Sequence, residues 1–304
     1  MSGFKLLTPI AFDKLLKGET THRVIPIDAT WFLPSFKRSG AQEFLTIERI
    51  PNAIHFDIDT IKDPKSIYPH MAPDLETFNK SMSKLGLKRD DILVVYDRIG
   101  NFSAPRCAWT LSLFGHENVY LLNNFLLYKK EGYPVDNSVV NSFSQYPETQ
   151  YKSDINLSQK EIIDFESILK LVNDNQLSAK YNAYDARALN RFEGKVPEPR
   201  PDIPSGHIPG FQPLPFTDVL EGETGTYPSS TTELKAKINK AMENLKSTYD
   251  PKKPTIVMCG TGVTGIIIKT ALEQSGIKDV KCYDGSWTEW ALRTDKKIIA
   301  NNRD

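Results

Sequence analysis

The sequence predicts an α/β protein of two tandem domains, each a parallel sheet flanked by helices, and three observations carry that reading. Four landmarks recur in one order. Ile25-Pro-Ile-Asp28-Ala returns as Tyr184-Asp185-Ala, and Ile50-Pro51-Asn-Ala as Ile208-Pro209-Gly-Phe. Ile92-Leu-Val-Val-Tyr-Asp97 returns as Thr255-Ile-Val-Met-Cys259, and Tyr120-Leu-Leu-Asn-Asn124 as Cys282-Tyr-Asp-Gly285. The second copy trails the first by 157 residues (Asp28 to Asp185) to 162 (Asp97 to Cys259), which marks duplication of a whole domain, not a stack of short repeats. Within each copy, short β-branched runs alternate with helical periods, the pattern of parallel strands joined by crossover helices. Finally, a glycine-rich turn joins an apolar strand to a helix, the place where open α/β sheets bind ligands.

In chain order, the spacing predicts helices over 74–85 and 104–114 in the first copy, and over 234–249 and 265–275 in the second. Residues 133–156 are polar, rich in Ser, Asn and Tyr, and carry Pro134 and Pro147. The expected division is a first domain at 1–140, a linker at 141–157 and a second domain at 158–304.

Composition narrows the function. Net charge is zero over 304 residues, so no bulk field draws the chain to nucleic acid, and direct nucleic-acid binding is not expected. Three cysteines without a C-x-x-C pair argue against a disulfide framework or a structural zinc site, and no metal or other cofactor is expected. An odd cysteine count suits a reducing compartment. No apolar run approaches the roughly 20 residues that span a bilayer, so no membrane partner is expected. The start, Met1-Ser-Gly-Phe-Lys-Leu-Leu-Thr, has no secretory core and little arginine. The cytoplasm is the expected location, with mitochondrial import by a weak signal left open.

Cys259 is the candidate nucleophile. It ends the apolar run and opens Cys259-Gly-Thr-Gly-Val-Thr-Gly265, where three glycines permit backbone angles closed to other residues. Such a loop can turn successive N–H groups inward as an anion nest at the positive end of the following helix. That setting lowers a thiol pKa from about 8.5 and favours a nucleophilic thiolate. A buried strand-end cysteine would not need the glycines. At the equivalent place the first copy has Asp97, which cannot accept and pass on sulfur, so this half is expected to be silent, walling the cleft and lending residues across it.

The residues resemble the tandem-domain rhodanese family over almost the whole chain. The resemblance is carried by Asp185-Ala-Arg187, Arg191-Phe-Glu-Gly194, Glu198-Pro-Arg200, Gly206-His-Ile-Pro-Gly210, the Cys259 loop and Tyr283-Asp-Gly-Ser-Trp-Thr-Glu-Trp290. The first half adds Phe56-Asp-Ile-Asp59, Tyr68-Pro-His-Met71, Ser103-Ala-Pro-Arg106 and Phe114-Gly-His116. Cys-Gly-Thr-Gly-Val-Thr is similar to the 3-mercaptopyruvate sulfurtransferase type; thiosulfate-preferring members tend to place a cation just after the cysteine, where this chain has Gly260 and Thr261. Within the family the chain is most similar to fungal sulfurtransferases that feed tRNA wobble-uridine thiolation.

The resemblance implies ping-pong transfer from 3-mercaptopyruvate or thiosulfate through a Cys259 persulfide to a thiol, cyanide or protein acceptor. It implies that Arg191 and Arg200 bind the substrate, with the loop residues Gly260, Gly262, Val263, Thr264 and Gly265, while Arg187 makes a structural ion pair. It further implies a proton path of Thr261, where serine is commoner, with His70 and Asp59 from the first half. Protein partners implied are a cysteine desulfurase and a rhodanese-bearing, ubiquitin-activating-like enzyme. Two departures stand out: Arg49-Ile-Pro-Asn52-Ala replaces the usual His-Ile-Pro-Gly-Ala, so that loop is expected to differ, and Ala41-Gln-Glu-Phe44 finds no counterpart.

Rival readings are weaker. Cysteine phosphatases require Cys-x5-Arg, and the residue six beyond Cys259 is Gly265. A docking module without catalysis, in a sulfur-relay complex, would not need the intact nucleophile, loop and arginine pair. Cys107 and Cys282 are expected in the core, and a resolving disulfide between Cys282 and Cys259 has no motif behind it. Trp287 and Trp290 suit either shielding of a persulfide or helix packing. Lys252-Lys253 and Lys296-Lys297 are expected as solvated pairs.

Overall fold

The computed structural model describes residues 3–294 and 299–301, so the Lys296-Lys297 pair lies outside the described residues. Among the described residues ten short strands form two five-stranded sheets that do not mix. The first holds β1 (Lys5–Leu7), β2 (Val24–Asp28), β3 (Ile54–His55), β4 (Ile92–Tyr96) and β5 (Val119–Leu122), in the order β1-β5-β4-β2-β3. The second holds β6 (Ile162–Ile163), β7 (Asn182–Asp185), β8 (Gln212–Pro213), β9 (Thr255–Met258) and β10 (Val280–Tyr283), in the order β6-β10-β9-β7-β8. Every pairing is parallel, and the second order repeats the first strand for strand. The central strands β4 and β9 are buried almost throughout, as parallel strands covered on both faces must be.

The expected helices form with shifted ends. Helix 74–85 is observed as Leu75–Lys84, with Asp74 as its cap accepting from Thr77 N–H at 2.8 Å. The helix expected over 234–249 runs Thr231–Leu245 instead. Ser230 and Glu233 make a reciprocal capping box that starts it early, and Lys246 in the left-handed region stops it.

Two helices matter most for function: Ala104–Leu113, which follows the Asp97 loop, and Gly265–Gln274, which follows the Cys259 loop. They pack on each other across the two halves, and one apolar cluster takes in Leu111 and Leu113 from the first and Ile266, Ile267 and Ile268 from the second. Burial of each such side chain stabilises the join by roughly 1.5–3 kcal/mol. The segment 134–157 runs back along the first half. Ser153 N–H donates to Asn79 at 2.8 Å, and Tyr151 packs edge-on against Phe78.

The departure at Arg49-Ile-Pro-Asn52 leaves the loop unchanged, contrary to expectation. Asn52 adopts φ +63°, the conformation that Gly210 takes at +88° in the second half, and asparagine tolerates that region. Arg49 and His207 even make matching antiparallel bridges, to Asp136 and Ala300.

Candidate functional site

Cys259 directly follows β9 and is 2% exposed at the floor of a cleft of about 610 Å³ between the halves. Its own N–H donates to Ser286 Oγ at 3.2 Å, and its carbonyl accepts from Trp287 N–H, so the strand end is pinned to the turn after β10. Beyond it the loop closes over small residues for separate reasons. Gly262 sits at φ +79°, and a Cβ there would lie 2.7 Å from the Asp284 carbonyl. A Cβ on Gly265 would lie 3.1 Å from the Met258 carbonyl carbon, so glycine lets the helix start against β9. A Cβ on Gly260 would sit 3.3 Å from the Arg191 guanidinium. The loop carbonyls turn outward: Gly260 accepts from Thr288 N–H at 3.0 Å and Gly262 from Arg106 at 3.1 Å.

The first half reveals what this loop shape holds. There the Asp97 carboxylate accepts five backbone N–H groups, from Ile99 and Gly100 at Oδ1 and from Phe102, Ser103 and Ala104 at Oδ2, all at 2.8–3.0 Å. Burial raises the Asp97 pKa, and the amides oppose that rise. At the offset of 162 that relates Asp97 to Cys259, the N–H groups of Ile99 and Gly100 correspond to those of Thr261 and Gly262. The Cys259 loop is one residue shorter, so at the offset of 161 that relates the following helices Ser103 and Ala104 correspond to Thr264 and Gly265. Among the described residues none of those four donates to a protein acceptor.

Thr261, His70 and Asp59, the residues expected to manage a proton, are brought together. His70 Nδ1 lies 2.9 Å from Thr261 Oγ1, and His70 Nε2 lies 2.9 Å from Asp59 Oδ1. Trp31, missed in the sequence, donates its indole N–H to Asp59 Oδ2 at 2.8 Å and stands edge-on to the imidazole. Thr261 lines the cleft, whereas His70 is 2% exposed behind it. The Thr261 hydroxyl is thus the contact through which the His70 ring meets the cleft. Burial pushes the His70 pKa down, against the pull of Asp59. Asp59 is held below the usual carboxylate range: its partial burial, the largest influence, pushes up, and His70 and Trp31 outweigh it.

Arginines line the cleft. Arg187 is fully buried, paired with Asp185 and Glu198 and bonded to the Gly206 carbonyl, with its guanidinium 4.4 Å from the Trp287 ring centroid. This is the structural ion pair expected of it. Arg191 grips Glu198 through Nε and Nη2. Arg200 has no ion pair among the described residues; burial lowers its pKa, while Asp59 and Cys259 pull it up. The first half mirrors the network, which the sequence did not disclose. Arg98 bonds Asp28, Glu43 and the Gly40 carbonyl, and Arg38 grips Glu43 through Nε and Nη2. Glu43, within the stretch that found no counterpart, thus plays the part of Glu198. Arg38, Arg98, Arg187, Arg191 and Arg200 line the cleft, and Asp28, Glu43, Asp185 and Glu198 engage the first four. Arg200, with no ion pair among the described residues, is the cation that suits an anionic substrate, while Trp31, Phe32, Phe102 and Phe216 line the apolar side.

The other cysteines are inert. Cys107 and Cys282 are wholly buried, and burial drives both thiol pKa values up. Cys282 pairs in register with Val257, two residues short of Cys259. Two strand steps and one strand spacing put the Cα atoms about 8 Å apart, too far for a disulfide. Trp287 and Trp290 are fully buried in the apolar cluster of the second half, which answers for both by packing. Of the other lysine pair, Lys252 is exposed and Lys253 donates to the Ser178 carbonyl at 3.0 Å. Among the described residues no helix is long and apolar enough to cross a membrane, and no cluster of three metal-ligating side chains occurs.

Comparison with known proteins agrees with this architecture. The rhodanese-like domain family matches residues 28–126 and 166–293. The thiosulfate sulfurtransferase TUM1 of Saccharomyces cerevisiae is 56% identical over 301 residues, 99% of each chain. The crystal structure of the Saccharomyces cerevisiae Tum1 protein superposes with a TM-score of 0.97 at 55% identity over 100% of both chains. A probable 3-mercaptopyruvate sulfurtransferase of Schizosaccharomyces pombe is 35% identical over 98% of this chain and 99% of its own. The sub-stoichiometric sulfur transferase subunit of yeast mitochondrial complex I matches with a TM-score of 0.82 at 36% identity, covering 98% of this chain and 100% of that one. The chain belongs to the rhodanese family. It is a sulfurtransferase.

Proposed function

We propose that the protein moves sulfane sulfur from 3-mercaptopyruvate or thiosulfate through a persulfide on Cys259 to an acceptor thiol. The observation that carries this reading is the Asp97 loop. A persulfide places its outer sulfur where a carboxylate places an oxygen, one bond beyond the first side-chain branch. Four of the five amides that converge on Asp97 have counterparts around Cys259 without a protein acceptor among the described residues, a ready-made cradle for an anionic sulfur.

The Cys259 thiolate attacks the sulfur of 3-mercaptopyruvate, and the C–S bond breaks with its electron pair on the pyruvate enolate. Arg200 and the free edge of Arg191 hold the carboxylate and ketone. With Nε2–H on Asp59, a protonated His70 passes its Nδ1 proton to Thr261, and the threonine hydroxyl supplies the enolate. The acceptor thiolate then takes the outer sulfur, the S–S bond breaks, and Cys259 is thiolate again. Thiosulfate loads the same cysteine with sulfite as the leaving group.

The remaining assignments are finer. Residues 1–140 form the silent domain, 141–157 the linker and 158–304 the catalytic domain. The physiological output is sulfur for tRNA wobble-uridine thiolation, handed to a rhodanese-bearing, ubiquitin-activating-like enzyme in the cytoplasm and supplied by a cysteine desulfurase, with a mitochondrial pool besides. The likeness to the sulfur transferase subunit of yeast mitochondrial complex I supports a role beside other proteins. The test is intact mass after incubation with 3-mercaptopyruvate or thiosulfate. One added sulfur, absent in Cys259→Ser along with turnover, is expected; sulfur loading in Cys259→Ser refutes the reading.

A further inference from the structure

One buried ion pair ties the Cys259 loop to the other half. Arg106 lies in the Ala104–Leu113 helix of the first half, and Asp284 follows β10 in the second; each is 2% exposed. Arg106 Nη1 donates to Asp284 Oδ1 and, at 3.1 Å, to the Gly262 carbonyl, while Nη2 donates to the His70 carbonyl. The second oxygen of Asp284 accepts from Ala72 N–H at 2.7 Å. Trp109 backs the guanidinium, its ring centroid 4.5 Å away. These bonds join the turn that carries His70, the middle of the Cys259 loop and the end of β10 in one closed ring.

The placement bears on both parts of the chemistry. Holding the Gly262 carbonyl fixes the peptide plane between residues 262 and 263, because that plane is rigid. The amides of 261–262 and 264–265, on either side of it, are the cradle described above. Holding the backbone of His70, which sits at φ +63°, keeps its ring on Thr261. The first half lacks such a device at the Asp97 loop. With the offset of 161 that relates the two helices and the ends of β5 and β10, Arg106 corresponds to Ile267 and Asp284 to Asn123. Asn123 binds the backbone of Tyr227 and the side chain of Asn101 through a neutral amide. Among the described residues the charged pair thus stands behind the loop with the cysteine and has no counterpart behind the Asp97 loop. Stability alone does not account for it, since replacing a buried ion pair by well-packed apolar side chains is often neutral or stabilising.

We propose that Arg106 and Asp284 are positioning residues for sulfur transfer, a clamp that sets the Gly262 peptide and holds His70 against Thr261. The proposal rests on Cys259 as sulfur carrier and on the His70–Thr261 proton path. Its test compares Arg106→Lys and Asp284→Asn with the wild type in steady-state kinetics on both donors, with thermal melts of the same samples and Cys259→Ser alongside. With 3-mercaptopyruvate, kcat should fall about 30- to 100-fold, because misplacement by about an ångström costs that much. KM should stay within about twofold, because Arg191 and Arg200 are untouched. Thiosulfate, whose sulfite leaves without needing a proton, should lose several-fold less. Equal losses on both donors, a KM effect larger than the kcat effect, or unchanged kinetics would overturn the clamp. Should the wild type not use thiosulfate, the kcat–KM split on 3-mercaptopyruvate decides. If the lysine variant does not fold, Asp284→Asn, which still accepts from Ala72 N–H, decides. Failure of both to fold would assign the pair to core stability and refute the proposal. Activity surviving in Cys259→Ser would refute the carrier reading instead, whatever the clamp variants do.

Discussion

At the scale of single residues, the contrast between Asp97 and Cys259 makes two measurable demands. If the second loop is a cradle for an anion, Cys259→Asp should fill it as Asp97 fills the first, with loss of all transfer. Charge-assisted bonds from several amides should make this variant more stable than Cys259→Ala by about 1–3 kcal/mol, read as a higher Tm. An aspartate variant that melts below the alanine variant would show that the loop does not favour anions. Arg200, with no ion pair among the described residues, should carry more of the substrate's charge than Arg191, which is half engaged by Glu198. Arg200→Ala is expected to raise KM for 3-mercaptopyruvate about 10- to 100-fold, the worth of one or two charged hydrogen bonds. Arg191→Ala should raise it less, and the reverse order in steady-state kinetics would reassign the carboxylate.

At the scale of elements, the Gly265–Gln274 helix and its loop form one unit, because the helix begins where the chain touches β9. Gly265→Ala pushes a methyl toward the Met258 carbonyl carbon at 3.1 Å. The expected cost is about 1–3 kcal/mol in chemical denaturation, with kcat falling more steeply than stability because the cradle amides shift with the helix start. Normal kcat would mean that the loop is set independently of the helix. This scale also separates what could be read from sequence. The alternation of strands with helices and the loop were legible, because β-branched runs and glycines act locally, whereas the order of strands in each sheet came from the structure. The Ser230 and Glu233 capping box was visible too, yet apolar spacing alone placed that helix three residues late. The Asn52 departure misled because asparagine can do what glycine does there. Trp31, Glu43 and the roles of Arg106 and Asp284 were not legible. Their partners lie 28 residues away for Trp31 and Asp59 and 178 for Arg106 and Asp284, and no periodicity encodes such a meeting.

At the scale of the whole molecule, two of the buried histidines, His70 and His116, bear on how stability follows pH. Burial lowers the pKa of His70, and of His116, whose ring bonds the Tyr151 hydroxyl at 2.8 Å and the Asp91 carbonyl at 2.9 Å. The unfolded chain takes up protons at these sites near pH 6.5, before the folded chain does. Their contribution is therefore complete above about pH 6.5 and lost as pH falls below it. Melting temperatures measured from pH 8 to 5.5 should bend downward in that window, and His116→Gln should flatten the bend. Asp28, Asp59 and Asp136, held below the usual carboxylate range, act only near pH 4 and under, which separates the two effects. An unchanged bend in the variant would remove His116 from the account.

Because the amides around the Asp97 carboxylate have counterparts already turned toward Cys259 by the helix that follows it, loading should proceed with hardly any motion of the main chain. The incoming atom finds its surroundings already arranged, so amide exchange across 260–265 should slow on loading while the remainder of the second sheet stays as it was. Turnover would then be governed by the arrival of donor and acceptor, not by refolding around the cargo.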